Sequence, residues 1–380
     1  MSRRVLKYLL LVVAVQFCFV SCLDIHDASY KKHTVAVVMN QGVPNGESAT
    51  LSYYNEDDEV LENDAYRLNN GKKIDAFGQD MIITPVGSIY LLCTSPDKME
   101  MINPKTLVSY TTITEGLENP RSISEYNGLL YVVNHGKDEG DGKFEHSFLS
   151  VYNLSTNAFI DSIEIGCRAE DVVVRKDVAY VTTAEGLMMI DVRNAMFEDS
   201  MKLIGFKEVP AHDNPARALG LGEEHFAISY PGAGTAVFSD KGDLTYFIKM
   251  PMGEDGFISA DAQNKKIVHS YKDPATGKSQ VYTVNLDGSD LKVVAEGENL
   301  TAAAYSTNTR DLFVCDTPVE GRNSVLRVIR RGRVKYEQEV GHSSTRMVFY
   351  NYTDYVPEEP EDDGEDSKDD KDDKNDKDKK

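Results

Sequence analysis

The sequence predicts an all-β fold, a seven-bladed β-propeller, because one strand pattern recurs along it at a nearly constant spacing. Each copy has a short strand with a polar start, a turn, and an apolar strand carrying an aromatic or large aliphatic residue. Complete copies begin at residues 79, 120, 169, 215, 257 and 299, and a half-copy begins at residue 343. A repeat of about 40–50 residues with four short strands per unit is typical of propeller blades.

The composition of the strands supports this prediction. The segments LLYVVN (129–134) and VAYVTT (178–183) are rich in β-branched and aromatic residues, which favour strands. The Asp-Gly pair in NLDGSD (285–290) predicts a tight hairpin between the third and fourth strands of its unit. The glycine there is therefore expected to form a turn and not a catalytic loop.

The two ends of the predicted domain complete each other. The strands at 33–40 and 49–55 lack an inner strand, and the strand at 346–352 lacks outer partners. Joining them makes a seventh blade and closes the ring, which removes exposed sheet edges. We therefore expect one propeller domain over residues 33–355.

The N-terminus has the features of an export signal. Arg3, Arg4 and Lys7 precede an apolar stretch at 9–20, which is too short for a membrane span. The stretch ends in FVSC, which resembles a bacterial lipobox, so we expect a lipoprotein signal peptide at 1–21, lipidation of Cys22 and an anchor linker at 22–32. An ordinary secretory signal cleaved nearby is the alternative.

The C-terminal segment 356–380 is dominated by charge, with thirteen acidic and six basic residues, and we expect a disordered acidic tail. It supplies −7 of the formal net charge of −21, which leaves −14 on the rest of the chain. An acidic domain argues against nucleic-acid binding. Beyond Cys22 only three cysteines remain, with no pairing pattern, so we expect buried small hydrophobic residues.

Four segments carry a family resemblance: VVMNQG (37–42), SATLSYYN (48–55), DAFGQDMIITPVGSIYLL (75–92) and PRSISEYNGLLYVVN (120–134). Together they resemble the YncE-like seven-bladed propeller lipoproteins of Bacteroidetes. The resemblance implies an outer-membrane lipoprotein exposed on the cell surface, with a TonB-dependent transporter as partner. One branch of that family captures cobalamin, so the resemblance implies a small-molecule ligand such as cobalamin or a related corrinoid. The loop at 134–147 and the acidic tail are not part of the common pattern.

Aligning the units on their second strands predicts a polar ring at the mouth of the propeller channel. Asp80, Arg121 and Glu170 each lie ten residues before a tyrosine, and Arg217 lies ten residues before Ala227. The column continues as Ile258, Thr301 and Arg346. Acidic and basic residues alternate along the first part of this column. Two compatible interpretations follow: the charges form structural ion pairs, or they form a recognition site for a ligand.

The loops that follow the second strands are expected to open on the same face. Tyrosine and asparagine suit an amphipathic ligand, because they combine contact area with hydrogen-bonding groups. Ordinary surface loops are the alternative. The candidate ligand-binding residues of these loops are Asn134, His135, Tyr230, Tyr271 and Asp316.

The sequence contains no recognisable enzyme motif. The eight histidines show no metal-ligand spacing, and no nucleophile motif is present. We expect a non-enzymatic binding protein without a cofactor or metal. Two alternatives remain: a propeller that docks other surface proteins, and a propeller lyase or hydrolase.

Overall fold

The computed structural model of the chain describes residues 29–44, 46–140, 142–207, 217–249, 256–273, 275–319 and 322–356. These residues form strands joined by turns, and one short helix, α1 (Ala65–Asn70). The strands are, in chain order, β1 (Ser29–Asn40), β2 (Thr50–Asn55), β3 (Val60–Glu62), β4 (Phe77–Ile83), β5 (Ile89–Thr94), β6 (Lys98–Ile102), β7 (Ser109–Ile113), β8 (Pro120–Tyr126), β9 (Leu129–Asn134), β10 (Phe148–Asn153), β11 (Phe159–Glu164), β12 (Ala169–Arg175), β13 (Val178–Thr183), β14 (Leu187–Asp191), β15 (Lys202–Lys207), β16 (Arg217–Leu221), β17 (His225–Tyr230), β18 (Gly234–Ser239), β19 (Leu244–Ile248), β20 (Ile258–Asp261), β21 (Lys266–Lys272), β22 (Ser279–Asn285), β23 (Lys292–Gly297), β24 (Leu300–Tyr305), β25 (Leu312–Asp316), β26 (Asn323–Arg330), β27 (Arg333–His342) and β28 (Ser344–Val356).

The strands assemble into seven four-stranded sheets, and six of these are formed by consecutive strands. The seventh has the order β28-β1-β2-β3, so the last strand of the chain completes the sheet that the first strands begin. The predicted all-β fold and the predicted pairing of the two ends are confirmed. In each sheet of consecutive strands, we call the earliest strand in the chain the inner strand. In the seventh sheet, β28 occupies the equivalent edge beside β1. The seven inner strands are β4, β8, β12, β16, β20, β24 and β28.

The core lies between neighbouring sheets because the second strands are buried on both faces. Every residue of β5 and β9 is buried. Tyr90 of β5 packs in one cluster with Leu130 and Val132 of β9. Tyr131 of β9 points to the other side and packs in a second cluster with Val172 and Val181 of the next sheet. Burial of each such side chain contributes about 1.5–3 kcal/mol, so a second strand stabilises the sheets on both of its sides.

The turns between the first two strands of a sheet differ in length. The β8–β9 turn consists of Asn127 and Gly128, both in the left-handed region with φ of 51° and 76°. Two such residues form the tight turn that matches strand twist, and Asn-Gly is the sequence best suited to it. The β4–β5 turn is longer, since Ile83 pairs with Ile89 across residues 84–88. This difference in turn length shifts the residues of β4 relative to those of β8 when the two sheets are aligned on their second strands.

The described chain divides into two compact units. The larger spans Thr34–Asn351 and contains the seven inner-strand starts. The smaller includes residues 29–33 and 352–356 among the described residues. Within the smaller unit, the rings of His33 and Tyr352 stack with their centroids 4.9 Å apart, and the rings of Tyr30 and Tyr355 meet edge to face at 6.0 Å.

Several predictions made from the sequence concern the two ends of the chain, where only some residues are described. The predicted signal peptide at 1–21, Cys22 and most of the tail at 356–380 lie outside the described residues. Strand β1 begins at Ser29, inside the predicted linker 22–32, and helix α1 was not predicted. Among the described residues, no helix has the length and apolar character needed to cross a membrane.

Candidate functional site

A candidate site is a cavity of about 740 Å³ between the inner strands, which we call the inner-strand cavity. Residues from all seven inner strands line it. Most of the lining is aliphatic, including Ile82, Val173 and Leu219, and charged groups are interspersed along it. A mainly apolar cavity with a few converging polar groups is the usual form of a small-molecule site.

A repeated β-bulge shapes the polar entrance of the inner strands. In β4, the paired residues skip from Gly78 to Asp80, which leaves Gln79 as the extra residue of the bulge. The same irregularity in β8, β12 and β24 leaves Arg121, Glu170 and Thr301 as the extra residues. Bulges redirect a side chain away from the regular pleat, so these four residues occupy equivalent positions.

The residue after the bulge connects one sheet to the next. Asp80 accepts hydrogen bonds from the backbone N–H of Met81 (2.9 Å) and from that of Ile123 in the neighbouring sheet (3.1 Å). Asp171 repeats this arrangement with Val172 (2.9 Å) and Ala218 (3.0 Å). These two carboxylates therefore replace backbone pairing between inner strands with side-chain bridges.

The register corrects the single column predicted from the sequence. Counting ten residues back from each tyrosine assumes equal turns, but the β4–β5 turn is longer than those of β8–β9 and β12–β13. Asp80 consequently lies one position beyond the bulge, whereas Arg121 and Glu170 are bulge residues. The residues predicted to form one ring therefore lie in two layers, one of bulge residues and one of residues that follow the bulge. Asp171, which the sequence analysis did not select, is the equivalent of Asp80.

The bulge layer is an extensively paired charge cluster. The Arg121 guanidinium donates to Gln79 Oε1 (2.8 Å) and to Glu170 Oε2 (3.3 Å). Nε2 of His135 lies 3.1 Å from Glu170 Oε1, and Arg168 also donates to that oxygen. A carboxylate can only accept, so Nε2 of His135 carries the hydrogen.

The pKa values of Glu170 and His135 in this cluster are both lowered. Burial would raise the pKa of Glu170, but the His135 hydrogen bond and the charges of Arg121 and Arg168 outweigh it and lower the pKa to about 2. Burial lowers the pKa of His135, although Glu170 acts against this effect. Glu170 is therefore a carboxylate and His135 is neutral near pH 7, which supports the structural interpretation of this part of the ring.

The layer that lines the cavity contains Asp80, Arg217 and Arg346. Arg346 Nε donates to Asp80 Oδ1 across 2.7 Å, which satisfies both charges. Arg217 has no hydrogen bond or ion pair within the described part of the chain. Burial, together with the charges of Arg346 and Arg121, lowers its pKa, although Asp171 and Asp80 oppose this. A guanidinium remains charged in a protein, so Arg217 lines the cavity with donors that have no partner in the described protein.

The loop candidates lie away from the inner-strand cavity. Asn134 is fully buried and hydrogen-bonds to Ser150 Oγ (3.1 Å) and to the N–H of Glu118 (3.0 Å). Asp316 pairs with Arg327 at 2.9 Å. Tyr230 is buried in the core cluster of Phe226, and the ring of the half-buried Tyr271 is 6.1 Å from that of Tyr282.

Within the described residues, no group of three or more His, Cys, Asp or Glu side chains is arranged to hold a metal ion. Cys93 and Cys315 are buried and unbridged, and Cys167 is half-buried and also free. Burial raises the pKa of the Cys93 and Cys315 thiols to about 12, so both are un-ionised at neutral pH. The expectation of buried small residues is confirmed for Cys93 and Cys315, whereas Cys167 is only half-buried.

No family model matches the sequence, and no curated protein matches it. Solved structures do resemble it. The periplasmic gluconolactonase PpgL of Pseudomonas aeruginosa is 10% identical with a TM-score of 0.59, over 84% of this chain and 99% of that one. A quinoprotein alcohol dehydrogenase-like protein from Bacteroides thetaiotaomicron is 13% identical with a TM-score of 0.59, over 82% and 78%.

A third similar structure decides the fold. The β-propeller domain of Swd1 from Myceliophteria thermophila is 9% identical with a TM-score of 0.52, over 70% of this chain and 87% of that one. This chain has a β-propeller fold. At such identities the likeness extends to the fold alone, so function has to be argued from the propeller's own cavity and charges.

Proposed function

We propose that this chain is a lipid-anchored binding protein that captures a small molecule in the inner-strand cavity and delivers it to a TonB-dependent outer-membrane transporter. The observation that carries the binding function is the cavity itself. It has about 740 Å³ of space, a lining that is more apolar than polar, and charged groups interspersed along it. The anchor and the transporter rest on the Cys22 motif and on the family resemblance.

We further propose that the seven sheets are the blades of a closed ring. Hydrogen bonds between inner strands support this on both sides of β28. Thr301 Oγ1 donates to the carbonyl of Ser344 at 2.6 Å, and Arg346 donates to Asp80. A closed ring would make the inner-strand cavity the axial channel of the propeller, open to solvent at the polar end.

Cobalamin or a related corrinoid is our first candidate ligand, because the sequence resembles a family with a cobalamin-capturing branch. Titration of the purified protein with cyanocobalamin, followed by calorimetry and thermal unfolding, tests this candidate. We expect saturable binding and a rise in the unfolding temperature. No binding at micromolar concentration would exclude corrinoids and leave small-molecule capture to be tested with other ligands.

A hydrolase is the second candidate, since one structure of similar fold is named a gluconolactonase. Our proposal is a binding protein, because the cavity offers apolar walls with converging polar groups, while the described residues hold no group of three or more His, Cys, Asp or Glu arranged for a metal ion. Incubation of the purified protein with glucono-1,5-lactone decides between the two. Hydrolysis above the spontaneous rate, lost on filling the cavity, would favour the enzyme.

A further inference from the structure

The strongest unexplained feature of the inner-strand cavity is the Arg217 guanidinium. It is the first residue of β16 and lines the cavity beside two carboxylates, yet it pairs with neither. Asp80 is occupied by two backbone N–H groups and Arg346. Asp171 is occupied by two backbone N–H groups and the Ser122 hydroxyl. The donors of Arg217 therefore have no acceptor in the described protein.

Two further donors are available on β28. The hydroxyl oxygen of Thr345 is shielded from solvent and has no hydrogen-bond partner within the described residues, and Thr345 lines the same cavity. Arg346 uses Nε for Asp80 and Nη1 for the carbonyl of Thr345, which leaves its Nη2 without a partner among the described residues. A hydroxyl shielded from solvent without a partner has given up its hydrogen bonds to water, so a ligand that accepts from Thr345 would restore one.

We infer that Arg217, Arg346 and Thr345 form a subsite for an oxyanion, a carboxylate or phosphate group on a small aliphatic molecule. Guanidinium groups match the planar geometry of these anions and can hold them with two hydrogen bonds. The aliphatic walls formed by Ile82, Val173 and Leu219 would receive the rest of the molecule. This inference rests on the proposed binding function and specifies the chemical class of the ligand.

The opposite end of the cavity is different. Arg175 lies four residues after Asp171 on β12, about 13 Å along the strand. Its Nη1 donates to the carbonyl of Val174 at 2.7 Å, its guanidinium lies against Gly220, and its Nε is shielded without a partner among the described residues. The unpaired donor at this end thus comes from one inner strand. The oxyanion subsite is assigned to the Arg217 end, where unpaired donors from two inner strands line the same cavity.

Calorimetric titration of the purified protein with octanoate, octyl phosphate, inorganic phosphate and octanol tests the inference. We expect octanoate or octyl phosphate to bind at least tenfold more tightly than octanol, because hydrogen bonds between charged groups are stronger than those of a neutral hydroxyl. The two organic anions distinguish a carboxylate from a phosphate, and inorganic phosphate reports the head group alone. Equal binding of octanol, or no binding of any anion at millimolar concentration, would overturn the oxyanion subsite.

The variant Arg217→Gln should weaken binding of the preferred anion by about tenfold or more. Arg333→Gln is the matched control, since it removes the same charge from an exposed strand end. Arg217→Gln should fold with unchanged or higher stability, because it removes a half-buried charge that has no partner among the described residues. Anion binding that is unchanged in Arg217→Gln would refute the subsite. A neutral molecule that binds in the cavity would leave the proposed function standing without this subsite.

Discussion

Arg346 Nε donates to Asp80 Oδ1 at 2.7 Å and joins residues that are 266 positions apart in the chain. Arg346 belongs to β28, the last strand, and Asp80 to β4, the inner strand of the first consecutive sheet. The Asp80 carboxylate also accepts the N–H of Ile123 from the following sheet. One carboxylate thus connects three inner strands, including the one supplied by the C-terminal part of the chain.

The first prediction concerns this connection. Arg346→Ala leaves Asp80 with two backbone donors but no counter-charge, and we expect a loss of about 3 kcal/mol of unfolding free energy. Urea denaturation measures the loss, with Arg333→Ala as the exposed control. A change equal to that of the control would mean that the Arg346–Asp80 pair does not hold the sheets together.

The fold was predictable from sequence because its signal is repeated. The β-branched and aromatic residues of LLYVVN and VAYVTT and the spacing of the copies reflect burial between sheets, a local property of each strand. The pairing of β28 with β1 followed from counting incomplete units. Helix α1 escaped prediction since it occurs once, outside the repeat.

The site was predictable only in part. Asp80, Arg217 and Arg346 do line the cavity, but their equivalence to Arg121 and Glu170 failed because turn length and bulges shift the register by one residue. Asn134 and Asp316 looked like loop residues, yet they are buried and satisfied by partners distant in sequence. Asp171 carried one usable signal, its place directly after Glu170 in a copy of the Gln79–Asp80 pair.

The second prediction concerns acid stability through Glu170. Its pKa is about 2 in the folded protein, below its value in an unfolded chain, so the folded state gains stability above pH 4.5 and loses it as the pH falls toward 2. The loss should be about 3 kcal/mol. Glu170→Gln should flatten the dependence of unfolding free energy on pH in this window, as measured by urea denaturation. An unchanged dependence would contradict the pairing of Glu170 with Arg121 and His135.

A third prediction concerns His269, which is buried and whose ring nitrogens have no hydrogen-bond partner among the described residues. Burial lowers its pKa to about 4. The folded state therefore disfavours protonation, and stability is lost as the pH falls below 6.5, by about 2 kcal/mol between pH 7 and pH 5. We expect His269→Phe to remove this loss in thermal unfolding measured at the two pH values, whereas His146→Phe, an exposed control, should retain it. A variant that stays as acid-sensitive as the parent would place the effect elsewhere.

The fourth prediction concerns the anchor. If Cys22 is lipidated, cells given labelled palmitate should incorporate the label into the protein, and Cys22→Ser should abolish the incorporation. Cys167→Ser is a suitable control because its thiol lies in the folded domain. Label retained in Cys22→Ser would refute lipidation at this position, and it would remove the support for membrane attachment.

Binding of a small molecule inside the inner-strand cavity is the central claim, and a cavity-filling pair of variants tests it most directly. Ala304 lines the cavity, while Ala275 lies exposed in the turn between β21 and β22. A thermal-shift screen with cyanocobalamin, octanoate and octyl phosphate identifies a ligand, and calorimetry then measures its affinity for Ala304→Phe and Ala275→Phe. We predict that Ala304→Phe abolishes binding and Ala275→Phe preserves it. A ligand that binds the two variants with equal affinity would contradict the claim.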